Sequence, residues 1–120
     1  MQCVVVDSSA LGRQTMCACL NELGHHAIAA SSSQAAEALI AGGEVDLVVV
    51  DHCPPWSDGW ALARRLHDRD IAAIVLGDPT DARPITRTLA LTRPVSLHDL
   101  ERAIARLAAE PHADPRRGSM

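Results

Sequence analysis

The stretch Leu47-Val48-Val49-Val50-Asp51-His52-Cys53-Pro54-Pro55 constrains this chain more than any other. Its apolar run has no polar interruption on either side of the pleat. That suits a strand buried on both faces, and such strands belong to parallel sheets covered by helices. The carboxylate that ends the run therefore sits where the sheet opens to solvent, the edge at which open α/β sheets bind ligands. The prolines forbid the strand from continuing, and Gly59 supplies backbone freedom before an amphipathic helical pattern resumes. An acidic side chain is thus presented on a stiff platform.

The rest of the chain repeats the theme. Short apolar runs alternate with helical patterns from end to end, the signature of βα units and a doubly wound parallel sheet with helices on both faces. The first strand is read over Cys3 to Val6, ending in Asp7, and a helix from Ser9 to Leu23 is stopped by Gly24. Ala27 to Ala30 forms a second strand. Ser31 with Gln34 makes a capping box for a helix through Ile40, closed by Gly42-Gly43. The third helix runs from Gly59 to Asp68 with Trp60, Leu62 and Leu66 facing in. A fourth strand covers Ile71 to Leu76, a fifth Leu89 to Thr92, and a last helix Ser96 to Ala109, its start favoured by Ser96 and Asp99. Residues 1–109 read as one domain and 110–120 as a polar flexible tail or the root of a linker.

Composition narrows the function classes. At 120 residues the chain buries a core without staples, and a formal net charge of -4 with interspersed Arg leaves no basic patch for a phosphate backbone, which argues against direct nucleic-acid binding. No apolar segment reads as a signal peptide or a membrane span, so a cytoplasmic location is expected. Cys3, Cys17, Cys19 and Cys53 contain no CxxC pair and read as free thiols. A zinc site from Cys17, Cys19, His25 and His26 is disfavoured because residues two apart on a helix point to different faces.

Asp7 and Asp51 both terminate buried strands, and right-handed crossovers place their ends on the same sheet edge. Neighbouring strands lie about 4.8 Å apart, close enough for two carboxylates to share a small cation, although both groups could equally serve as helix caps. From Gln2 to Ala109 the chain resembles the CheY-like receiver domain of bacterial two-component response regulators. The resemblance rests on Val4-Val5-Val6-Asp7, on Asp51 followed by Pro55 and Gly59, on Arg93-Pro94 after the fifth strand, and on the spacing of five βα units. It implies a five-stranded sheet in the order 2-1-3-4-5 and a cis peptide at Arg93-Pro94. It makes Asp51 the acceptor of a phosphoryl group from a phosphohistidine, with Mg²⁺ held by Asp7, Asp51, the backbone carbonyl of Cys53 and, weakly, Ser8.

The departures from the family pattern are specific. Ser8 stands where a second acidic residue belongs, so the metal site loses a negative charge and weak Mg²⁺ binding is expected. Gly77 replaces the hydroxyl residue that contacts the phosphoryl group. Arg93 replaces a lysine, keeping the charge on a longer planar head that could contact phosphoryl or pair with Asp51. Ala90 takes the place of the aromatic switch residue, and the chain holds no Phe, Tyr or Lys. The stretch from Gly77 to Arg93 is shorter than the family's and carries Pro79 and Pro84, so the helix between the fourth and fifth strands is expected to be short or missing.

The resemblance implies a histidine kinase or histidine phosphotransfer protein as phosphoryl donor and an output protein as partner. It also implies an atypical switch, and at most self-phosphorylation and dephosphorylation rather than turnover. The alternative is a pseudo-receiver, an interaction module that works by docking, with Asp51 kept for an ion pair with Arg93. A flavodoxin-like nucleotide or flavin binder is disfavoured because Asp7-Ser8-Ser9-Ala10-Leu11-Gly12 is no glycine-rich phosphate loop. His52 is expected to face solvent while Cys53 fills the loop. Trp56 on its turn is a candidate contact surface, and surface left by a shortened helix could be covered by a second copy of the chain.

Overall fold

The computed structural model describes residues 1–54, 58–77, 85 and 87–109. Its elements in chain order are β1 (Gln2–Val6), α1 (Ala10–Glu22), β2 (His26–Ala30), α2 (Ser33–Gly42), β3 (Leu47–Asp51), α3 (Gly59–His67), β4 (Ala72–Leu76), β5 (Thr88–Leu91) and α4 (Leu97–Ala109). All ladder pairs are parallel, and the strand order is β2-β1-β3-β4-β5. The α/β class, the five strands and their order are those expected. β3 is central and every one of its residues is buried.

The pleat divides the core into two layers. Val4, Val6, Val48, Val50, Ala73 and Val75 face α2 and α3, where Ile40, Trp60, Leu62 and Leu66 meet them. Cys3, Val5, Leu47, Val49, Ala72 and Ile74 face α1 and α4, against Leu20, Leu100, Ile104 and Leu107. Both layers are closely packed, so each strand end is held in position from two sides.

Side chains set the helix starts. Ser9 accepts from the Gly12 N–H, Asp58 from Ala61, and Ser96 from Asp99, each satisfying one orphan donor of a first turn. The start of α2 differs from expectation. Ser32 rather than Ser31 is the N-cap, its hydroxyl accepting from the Ala35 N–H, so Gln34 falls one position too early to complete the expected box. Three serines in a row offer the same chemistry, and the apolar positions Ala36 and Ile40 decide which of them starts the helix. Gly24 leaves α1 with φ +92°, a conformation that suits glycine.

One clamp was not anticipated. Asp70 and Arg87 both adopt positive φ, and the Arg87 guanidinium donates to the Asp70 carbonyl and carboxylate at 3.1 Å each. It ties the turn before β4 to the start of β5. The Arg93–Pro94 peptide is cis, as expected. Trp56, the tail 110–120 and nearly all of the stretch read as a short or missing helix, with the dimer surface inferred from it, lie outside the described residues. Among the described residues no helix is long and apolar enough to cross a membrane.

Candidate functional site

β1 and β3 are direct neighbours, with Val6 opposite Val50, so Asp7 and Asp51 are the next residues along adjacent strands. They share the parity of Val5 and Val49, which directs both toward the α1 and α4 layer. Asp51 ends the central strand with its side chain only 7% exposed. The expected pair of carboxylates is therefore brought to one edge, on one face.

Their immediate partners differ. Asp51 Oδ1 forms an ion pair with Arg93 Nη2, and the same guanidinium nitrogen reaches toward the Leu76 carbonyl at 3.5 Å. Arg93 is 47% exposed, so its head leans in from solvent and covers a carboxylate that is itself buried. The Asp7 carboxylate instead turns to its own chain, where Oδ1 accepts from the Ser9 N–H at 2.8 Å at the start of α1. A Cβ at Gly12 would lie 2.9 Å from the Asp7 Cγ, so glycine is what allows the carboxylate to sit over that first turn. Arg13 Nη1 donates to the Asp7 carbonyl at 2.7 Å and fixes the strand end from the other side. Asp7 thus acts as a local helix-start acceptor, one of the roles open to it from the sequence.

A cleft of about 750 Å³ opens above this edge, lined by Asp7, Ser8, Asp51, Cys53, Leu76 and Arg93 with apolar groups of α1. Ser8 and Cys53 are both exposed, so the Cys53 side chain does not fill the loop as expected. On the far side of the two aspartates a cleft of about 390 Å³ runs past Ser31, Ser32, Ser33 and Arg65. Of the described residues named from the sequence for this site, Asp7, Ser8, Asp51, Cys53, Gly77 and Arg93 fall on or beside the carboxyl edge of the sheet, while Ala90 lies within β5.

His52 is the clear correction. Its side chain is 8% exposed rather than facing solvent. Its parity is that of Val48 and Val50, so it turns to the α3 layer, where the ring meets Trp60 edge-on at 6.3 Å. Nδ1 accepts from the Gly59 N–H at 3.1 Å and lies 3.6 Å from Asp58 Oδ1. An Nδ1 that accepts from Gly59 does not also donate to Asp58, and the shorter contact makes His52 a side-chain acceptor at the start of α3. The alternation of the preceding valines was the signal that could have found it.

Gly77 is more than a missing hydroxyl. Its φ is +155°, and a Cβ there would meet the His52 carbonyl at 2.8 Å. The backbone after β4 has closed onto the backbone after β3, occupying the space that a threonine or serine would need. Ala90 is partly buried in the middle of β5, opposite Val75 and packed on the α2 and α3 layer. Its methyl group has nothing to swing.

The donor set does not fit Mg²⁺ as it stands. Such an ion wants several oxygens with open lone pairs and near-octahedral geometry. Here Asp51 is paired with a guanidinium, Asp7 is engaged by a backbone N–H, and Ser8 brings no charge. Among the described residues no group of three or more His, Cys, Asp or Glu is arranged to hold a metal.

No protein-family model and no curated protein matches this chain. Solved structures do. The chain superposes on the CheY-like response regulator receiver domain of Methylobacillus flagellatus with a TM-score of 0.77 at 20% identity, over 89% of this chain and 98% of that one. A response regulator receiver domain from Clostridium thermocellum gives 0.77 at 24% identity, over 88% and 92%. The signal receiver domain of an HD domain-containing protein from Pseudomonas fluorescens Pf-5 gives 0.76 at 27% identity, over 88% and 85%. The fold is that of CheY-like receiver domains.

Proposed function

We propose that this chain is the signal-receiving module of a two-component phosphorelay, taking a phosphoryl group on Asp51 from a histidine kinase or histidine phosphotransfer protein in the cytoplasm. One observation carries the reading: a buried carboxylate ends the central strand at the open edge of the sheet, with a cation against it. In the transfer, an Asp51 carboxylate oxygen forms a bond to phosphorus while the P–N bond of the phosphohistidine breaks. The departing imidazole nitrogen keeps the electron pair and takes a proton from water. Positioning and charge do most of the work in such a step. Arg93 would have to leave its present contact with Asp51 and bind phosphoryl oxygens, for which a guanidinium has suitably placed donors.

Any response must be atypical. Gly77 has no hydroxyl to follow the phosphoryl group, the space for one is closed, and Ala90 has no ring to move. The rearrangement available is the opening of the Arg93–Asp51 pair beside the cleft, read by an output protein.

A second reading, a pseudo-receiver that acts by docking alone, is favoured by that same ion pair together with the closed Gly77 backbone. Incubation with a small phosphodonor, followed by intact mass, separates the two. The phosphoacceptor reading predicts an increment of one phosphoryl group that disappears in Asp51→Asn. No increment from small donors or from a phosphorylated histidine phosphotransfer protein leaves docking as the function.

A further inference from the structure

We infer that the Arg93 guanidinium holds the place of the divalent cation at this sheet edge, so that the site works without Mg²⁺. Three independent observations converge. Arg93 leans in from solvent and pairs with Asp51, the carboxylate that a metal at this edge would have to share. The Asp7 carboxylate is turned onto the first turn of α1, over Gly12 and against the Ser9 N–H, instead of presenting both oxygens toward Asp51. Ser8, on the wall of the same cleft, contributes a neutral oxygen where a third carboxylate would be required to offset a doubly charged ion beside an arginine.

The charge count leads the same way. Two carboxylates and one guanidinium leave the edge with a single net negative charge. A hard dication surrenders its water only to a more strongly negative oxygen set, and a nearby guanidinium repels it. A planar guanidinium is weakly hydrated and presents paired N–H donors that match carboxylate and phosphoryl oxygens. It therefore screens the negative charge of Asp51 from an incoming phosphoryl group. Where the chain acts as the phosphoacceptor proposed above, Arg93 is the group that meets the oxygens of the transferred phosphoryl as the O–P bond to Asp51 forms and the P–N bond breaks.

The test separates this inference from the proposal on which its last step rests. MgCl₂ is titrated into the ¹⁵N-labelled chain and the amide shifts of Asp7, Ser8, Asp51 and Cys53 are followed, with no phosphodonor present. The natural chain is expected to show no saturable shift up to about 20 mM, whereas Ser8→Asp combined with Arg93→Met binds about tenfold more tightly or better. Ser8→Asp with Arg93→Gln serves as a second version, and dispersed amide spectra establish that each is folded. Saturation of the natural chain at low millimolar Mg²⁺ overturns the inference, as does failure of both folded double variants to bind. Labelling by a small phosphodonor with and without EDTA supplies the second arm, and equal label in both is expected. Label that vanishes with EDTA also overturns the inference. A chain that takes no label in either condition refutes the phosphoacceptor reading, while the titration still decides the role of Arg93.

Discussion

Arg93→Met is expected to destabilise the fold more than Asp51→Asn, although both break the same ion pair. The asymmetry follows from burial. Asp51 has 7% of its side chain exposed and Arg93 has 47%. Methionine keeps much of the arginine stem but removes the cation, leaving a buried carboxylate without its counter-charge. Removing one partner of a fully buried pair costs about 3–5 kcal/mol, and half-exposure of the arginine means that solvent already screened part of the attraction, so about 1–3 kcal/mol is expected. Asp51→Asn leaves a guanidinium that turns into water, at about 0–1 kcal/mol. Urea denaturation reads the difference directly: with a slope of about 1–3 kcal/mol per M, the Arg93→Met midpoint falls by several tenths of a molar or more relative to Asp51→Asn. The double variant should lie close to Asp51→Asn, since the carboxylate that suffered is gone. An Asp51→Asn loss equal to or larger than that of Arg93→Met would refute the burial reasoning.

Gly77→Thr, which restores the family's hydroxyl, is expected to lower stability by about 1–3 kcal/mol without improving phosphorylation, because its Cβ meets the His52 carbonyl at 2.8 Å; urea melts and intact mass after phosphodonor treatment check both halves. Leu66→Ala, at a fully buried position on the inner face of α3, should cost about 2–5 kcal/mol in the same melts. Burial pushes the Cys3 thiol up to about 11 from an ordinary 9.0, so the folded state holds that proton longer than the unfolded chain. Its contribution to stability is fully present below about pH 9 and is lost as pH rises toward about 11, which a series of alkaline melts would follow. Cys53 is exposed and Cys3 is closed off in the core, so a short iodoacetamide pulse near pH 8 should label Cys53 well before Cys3, with peptide mapping as the check.

The strands were legible because apolar runs bounded by Asp7, Asp51 and Gly77 suit a parallel sheet, and because Leu62, Leu66, Leu100, Ile104 and Leu107 mark helix faces by spacing alone, whereas the strand order came only from the resemblance to CheY-like receiver domains. Ser9, Asp58 and Ser96 start helices by local hydrogen bonds of a kind that sequence can show. Ser31-Ser32-Ser33 could not be resolved that way, since all three offer the same cap and the choice belongs to the packing of Ala36 and Ile40. The site was legible as a set of residues but not as a set of contacts. Which way the Asp7 carboxylate turns depends on the absence of a side chain at Gly12, and the closure of Gly77 onto His52 is a meeting of two backbones far apart in sequence. His52 shows a different kind of miss, because the parity of Val48 and Val50 already placed it on the α3 side. Its neighbourhood to Asp51 drew the reading toward the solvent edge instead.

Whether Asp51 takes the phosphoryl group is tested most directly by locating the modification. Borohydride reduction of the phosphodonor-treated chain converts an aspartyl phosphate to homoserine, and tandem mass spectrometry of the peptides covering β1 through α3 identifies the position. Homoserine at residue 51 is the predicted result. Homoserine at Asp7 or Asp58, or none in a chain shown to be folded, would contradict the account.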